Sequence, residues 1–197
     1  MTLGPFDNLR KLPDTPVAGI LARGNAKLQT KLDAAKGASA AEVLAELDGK
    51  GALMDMMQVL AHALPPREAI WWACLSGRDV AAEGTPPIEA AEAWVFKPGP
   101  ETRIRARQAL DTADNEDDTA LCAMAASFAD GTLGPGELED YAAPPGAVGT
   151  AAFGMALTAL FHDEEQVEAQ GPLILARALD IARGGNGKIA VEGEATP

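Results

Sequence analysis

The chain has 197 residues, a length typical of one domain. Its 40 Ala and 21 Leu far outnumber its 8 Val and 7 Ile, and because Ala and Leu favour helices while β-branched residues favour strands, the composition predicts a helical protein. Hydrophobic residues make up 47% of the chain, which excludes general disorder, and 20 Gly without a period and only 2 Cys exclude collagen-like and disulfide-scaffold classes.

The charge balance bears on partners and location. Sixteen basic and 29 acidic residues give a net charge of −13, which opposes nucleic-acid and anionic-lipid binding and favours solubility, with a basic partner as the open alternative. The N-terminus has no apolar signal segment, and Cys74 and Cys122 lack disulfide or zinc spacing. We therefore expect a cytoplasmic protein with buried, reduced thiols.

Proline and glycine positions predict three regions along the chain. Residues 1–24 contain three prolines and are expected to form an extended N-terminal arm. Residues 25–185 are predicted to form a single helical domain, with a first short helix near Asn25. Residues 186–197 are predicted to be a flexible tail.

The first strong helix signals lie between residues 39 and 75. A capping box, Ser39 to Glu42, predicts a helix over 40–47. One apolar helical face follows at Leu53, Met56, Met57, Leu60 and Leu64. Prolines 65 and 66 end that helix and begin another, whose apolar stripe is predicted to consist of Ile70, Trp71, Cys74 and Leu75.

The remaining helices are predicted from the same signals. Pro86-Pro87 begins a helix that carries Trp94, and further helices are expected over 101–113, 117–129 and 172–183. Residues 146–161 are apolar on all sides, but the segment is too short for a membrane span. The predicted fold is therefore an all-α, compact, irregular bundle of about seven to nine helices around a central helix at 146–161.

Catalytic and metal-binding motifs are not found in the sequence. His62 and His162 lack metal-ligand spacing, and the acidic residues after His162 point in different directions on a helix. The glycine-rich segment 184–188 lacks the first Gly, the Ser or Thr and the following helix of a phosphate-binding loop. We accordingly predict no catalytic residue, no cofactor and no metal.

Two groups of arginines are the candidate binding residues. Arg67 and Arg78 lie eleven positions apart on the same side of their helix, and either form internal ion pairs or border a partner groove with Trp72. Trp72 is turned about 100° from the predicted stripe, so we expect it to contact a partner while Trp71 is in the core. Arg103, Arg105 and Arg107 precede an acidic run and are either neutralised by it, as in an Arg107–Asp111 pair, or bind an anion or acidic partner.

The segment Leu64–Cys74, which reads LPPREAIWWAC, resembles the signature of an uncharacterised bacterial all-helical family associated with type VI secretion gene clusters. The resemblance implies a non-catalytic adaptor or chaperone-like accessory protein whose partner is a secreted effector or a secretion component. The predicted partner-binding residues are Arg67, Trp72, Arg78, Arg103 and Arg107. The alternative is an enzyme or small-molecule-sensing domain with a pocket around Arg67 and Trp72 or around Arg103 and Arg107.

Overall fold

The computed structural model describes residues 4–189, and within that range it contains nine α-helices, one short 3-10 helix at Gly136–Asp140 and no strand. The all-α prediction is therefore confirmed. The helices are α1 Val17–Arg23, α2 Ala40–Gly49, α3 Leu53–Ala63, α4 Pro66–Val80, α5 Pro86–Phe96, α6 Pro100–Thr112, α7 Ala120–Ser127, α8 Ala147–Phe161 and α9 Val167–Arg183.

Local sequence signals set several helix starts. At α2 the Ser39 Oγ accepts a hydrogen bond from the Glu42 backbone N–H at 3.4 Å, and the Glu42 carboxylate accepts one from the Ser39 N–H at 2.8 Å, which completes the predicted capping box. Both α4 and α5 begin with a proline in the first turn, where the missing N–H would have no helical partner. These short-range rules depend little on the rest of the fold.

The last helix begins earlier than predicted. It starts at Val167, so Pro172 lies inside α9 and not at its first turn. The backbone angle of proline fits a helix, and the only intrahelical hydrogen bond lost is the one to the Glu168 carbonyl, near the exposed start of the helix.

The N-terminal segment differs from the predicted extended arm. Residues 17–23 form α1, and no helix begins near Asn25. Phe6 and Leu12 are buried, and the Lys11 backbone N–H donates to the Ala182 carbonyl in α9 at 2.9 Å. The segment therefore packs onto the end of α9, and Phe6 and Leu12, which lie between its prolines, are buried.

A buried carboxylate of α3 holds residues 29 and 30 of the loop between α1 and α2. Asp55, which is 4% exposed, accepts hydrogen bonds from the Gln29 N–H at 2.9 Å and the Thr30 N–H at 2.7 Å.

At the other end of the chain, residues 190–197 of the predicted tail lie outside the described range, whereas residues 186–189 turn back towards α4.

Helix α8 lies at the centre of the bundle, as predicted. It contacts α3, α4, α7 and α9, and its packing against α4 is the most extensive between any two described helices. Gly149 permits a close approach to α3, because a Cβ there would lie 2.8 Å from the Ala61 carbonyl oxygen. Its exposed residues are Thr150 in the first turn and Phe161 at the end, which is 53% exposed. Within residues 4–189, no helix combines the length and apolar character that crossing a membrane requires.

Candidate functional site

The two tryptophans of α4 have the opposite environments to those predicted. Trp72 has no exposed surface, and its indole Nε1 donates to the Ile174 carbonyl of α9 at 3.0 Å. Trp71 is only partly buried, and its Nε1 donates to the Asn186 carbonyl at 2.7 Å. The assignment of Trp72 as a partner contact and of Trp71 as core is therefore wrong.

The prediction for the two tryptophans fails because α4 is buried around most of its circumference. It packs against α5, α7, α8 and α9, so no single apolar stripe describes its buried side. Small residues allow neighbouring helices to come close: a Cβ at Gly77 would lie 3.0 Å from the Cys122 Sγ and 3.1 Å from an Ile88 side-chain carbon. Trp72 fills the remaining space towards α9.

Arg78 is used within the fold. Its Nε and Nη2 donate to the two carboxylate oxygens of Glu92 at 3.0 and 2.7 Å, and its Nη1 donates to the Ala82 carbonyl at 3.2 Å. The hydrogen bond with Glu92 raises the pKa of Arg78. Of the two alternatives for this residue, the internal ion pair is the one found.

Arg103 is also internal, which makes its assignment as a partner contact wrong. Its side chain is 6% exposed, its Nε donates to the Ser127 carbonyl at 2.9 Å, and its terminal nitrogens pair with Asp130 and bond to Thr132. Arg103 thus joins α6 to the loop after α7. Its burial needs these partners, because an unpaired guanidinium in the interior is costly.

Arg107 forms the predicted i, i+4 pair. Its Nε lies 2.9 and 3.0 Å from the Asp111 carboxylate oxygens, and its Nη1 donates to the Leu133 carbonyl at 3.3 Å. Arg105, between these two arginines, is exposed and has no ion pair with a described residue. The three arginines therefore do not converge on one site.

Arg67 alone among the predicted site residues lies in a well-formed cleft, which we name the α4–α9 cleft. The cleft has a volume of about 320 Å³ and lies between the start of α4, the end of α5 and the turn after α9. Its apolar lining consists of Trp71, Val95, Phe96 and Ile181. Its charged lining consists of Lys11, Arg67, Glu68 and Lys188.

An exposed aromatic pair forms one wall of the cleft. The Trp71 and Phe96 ring centroids are 5.5 Å apart with the rings at 62°, an edge-to-face arrangement. Phe96 is 70% exposed because the core-facing position at the end of α5 is taken by Val95. Sequence reasoning missed Phe96, since one aromatic residue at a helix end carries no periodic signal.

Polar contacts fix the side chains around this pair. The Arg67 Nε donates to the Val95 carbonyl at 2.7 Å, and the Lys11 Nζ lies 2.8 Å from a Glu68 carboxylate oxygen. The Lys188 Nζ lies 5.9 Å from the centroid of the Trp71 ring, a cation–π distance. Lys11 and Lys188 were missed because only the tertiary fold brings both chain ends to α4.

A second cavity, of about 430 Å³, lies beside His62 at the end of α3. The imidazole is partly buried, and burial lowers the pKa of His62 below its usual value of 6.5. Cβ atoms added to Gly24 and Gly149 would lie 2.6 and 2.8 Å from its Nδ1. The glycines thus leave the ring the space that it occupies.

Clusters suited to metal binding are absent from residues 4–189, where no three His, Cys, Asp or Glu side chains come together. Cys74 and Cys122 are buried free thiols, as predicted. A hydrogen bond with Cys122, and then burial, raise the pKa of the Cys74 thiol. A raised pKa disfavours the nucleophilic thiolate at Cys74, so this buried side chain contributes to packing.

Comparison with known proteins finds a family model that matches most of the chain. The model of a group described as "Family of unknown function (DUF6931)" matches residues 43–182, while no curated protein and no solved structure matches the chain. The matched range contains Arg67, Trp71 and Phe96 of the α4–α9 cleft but neither Lys11 nor Lys188.

Proposed function

This chain belongs to the Family of unknown function (DUF6931), and from the α4–α9 cleft we propose that it is a non-catalytic accessory protein that binds a protein partner. The observation that carries the proposal is the exposed Trp71–Phe96 pair beside Arg67. Tryptophan and arginine are the residue types most enriched among those that dominate binding energy at protein interfaces.

The geometry of the cleft supports a docking role. Its aromatic wall stands on two helices, and a hydrogen bond from Arg67 to the end of α5 holds these helices together at the cleft. Such a rigid surface loses little conformational entropy on binding. Phe96, 70% exposed at the end of α5, offers apolar area that a partner would cover.

The resemblance of Leu64–Cys74 supports a more specific role. The same segment that resembles a secretion-associated family contributes Arg67 and Trp71 to the cleft. We propose on this basis an adaptor or chaperone-like role in a bacterial type VI secretion system, with a secreted effector or a secretion component as the partner.

A small-molecule sensor is the second candidate, and the cleft volume of about 320 Å³ favours it. This volume lies at the lower end of the range of ligand pockets, about 300–1,000 Å³. In such a sensor Arg67 and Lys188 would orient a small anion against the aromatic wall. The strong exposure of Phe96 leads us to rank it below the protein-binding proposal.

Site-specific cross-linking in the native host tests the proposal. A photo-reactive phenylalanine analogue is placed at Phe96 or, as the matched control, at Phe161, which also ends its helix and is 53% exposed. We expect a partner to cross-link at position 96 and not at 161. With the purified partner, Phe96→Ala should weaken binding by about thirtyfold or more, and Phe161→Ala should not.

Two results would contradict the proposal. One is cross-linking at both positions with equal yield, which would indicate non-specific contact. The other is the absence of a cross-linked protein at position 96, together with a metabolite whose thermal stabilisation of the protein is lost in Phe96→Ala. That second result would support the small-molecule sensor.

A further inference from the structure

The α4–α9 cleft carries a local positive charge. Among residues 4–189, Arg67 and Lys188 form no ion pair, and the carboxylate that lines the cleft, Glu68, pairs with Lys11 at 2.8 Å. The Arg67 Nε donates to a carbonyl oxygen, which leaves the terminal nitrogens of the guanidinium for another acceptor. Among the residues that line the cleft, cations thus outnumber carboxylates, in a chain with a net charge of −13. The nearby carboxylate of Asp180 accepts a hydrogen bond from the Gly187 N–H at 2.8 Å in the turn after α9.

This arrangement differs from that of the three other arginines predicted as partner contacts, Arg78, Arg103 and Arg107. Arg78 and Arg107 each bond a carboxylate through at least two hydrogen bonds, and Arg103 is buried against Asp130. Those guanidinium groups are already neutralised within the fold. Arg67 instead bonds a neutral partner at the rim of a cleft.

The cations lie next to the apolar surface and not apart from it. Lys188 is positioned over the Trp71 ring, and Trp71 in turn contacts Phe96 edge to face. A ligand that covers the aromatic pair would therefore bring its neighbouring groups close to Lys188 and Arg67. A carboxylate there would form charge-assisted hydrogen bonds, which are about twice as strong as neutral ones.

We propose that the segment recognised by the α4–α9 cleft is an acidic peptide in which an aromatic or aliphatic side chain lies next to a carboxylate. This inference rests on the proposed protein-binding function and adds the chemistry of the partner. The overall negative charge does not oppose it strongly, because at about 0.1 M salt exposed charges beyond about 10 Å are largely screened. The cations in contact with the ligand then determine that a negatively charged peptide is preferred.

Selection from a peptide library tests the proposal and does not require that the natural partner be identified first. A phage-displayed library of random peptides is selected on the full chain, and sequences that also bind Phe96→Ala are discarded. We expect the retained peptides to be enriched in Asp or Glu next to aromatic or aliphatic residues.

Binding of the most enriched peptide, made with a fluorescent label, is then measured by anisotropy. We expect Arg67→Gln and Lys188→Gln each to raise its Kd about tenfold, because each removes a charged hydrogen-bond donor. The matched variants Arg105→Gln and Lys27→Gln should leave the Kd unchanged, since both residues are exposed and neither lines the cleft. Replacing the peptide carboxylates by amides should weaken binding to the wild-type chain by a similar factor.

The outcomes separate this inference from the function on which it rests. Retained peptides that lack acidic residues, or whose Kd is unchanged in Arg67→Gln and Lys188→Gln, would overturn the acidic preference and leave the docking function standing. Recovery of no peptide that depends on Phe96 would contradict both.

Discussion

Replacing Trp72 by alanine removes a side chain that has no exposed surface and donates a hydrogen bond to the Ile174 carbonyl. Truncation of a buried tryptophan costs about 3–5 kcal/mol of unfolding free energy, through lost burial and the cavity left behind. The free energy of unfolding of a domain is about 5–15 kcal/mol, so the Trp72→Ala protein should still fold but lose much of its stability. The melting temperature should fall by about 6–20 °C.

Trp71→Ala, one position earlier on α4, is the matched variant. It removes the edge-to-face contact with Phe96, which contributes about 0.5–1.5 kcal/mol, and the hydrogen bond to the Asn186 carbonyl, which contributes about 1 kcal/mol or less at this partly solvated position. We therefore expect a loss of about 1–2 kcal/mol, together with strongly reduced partner binding.

Urea unfolding followed by circular dichroism at 222 nm measures both variants. Trp72→Phe separates the two contributions at the buried site, since it keeps an aromatic ring and loses the indole donor; we expect it to cost about 1–2 kcal/mol. A loss of stability in Trp71→Ala equal to or larger than that in Trp72→Ala would refute the assignment of Trp72 to the core.

Two further predictions concern His62 and Arg103. Because burial lowers the pKa of His62 in the folded state, the unfolded state binds a proton more readily, so the free energy of unfolding should fall as the pH drops below about 6.5. Urea unfolding at pH 8 and pH 5.5 measures this dependence. His62→Gln should remove this part of the pH dependence, whereas the control His162→Gln should keep it. Arg103→Lys should lower the unfolding free energy by about 1–3 kcal/mol, because a lysine cannot reproduce the bonds to Ser127 and Asp130 together. Arg105→Lys, at an exposed position, should change the unfolding free energy by less than about 0.5 kcal/mol. Equal effects of the two substitutions would contradict the internal role of Arg103.

The sequence alone determined those features that depend on neighbouring residues. The capping box at Ser39 set the start of α2, and the prolines in the first turns of α4 and α5 set the starts of those helices, because these signals act within one helical turn. The uncharged, apolar run at 146–161 identified α8 as the central helix, since a helix without a polar face must be covered on most sides. The Arg107–Asp111 pair was predictable for the same reason of short separation.

Only the tertiary structure decided which side chains are available for binding. Trp71 and Trp72 are adjacent and chemically identical, and their environments differ because α9, about a hundred residues later, packs over one and leaves the other at a cleft. The cleft itself joins Lys11, Phe96 and Lys188, which no local pattern relates. Periodicity describes a helix with one buried face, and α4 is enclosed by four neighbours, so its exposed side depends on contacts that are distant in sequence.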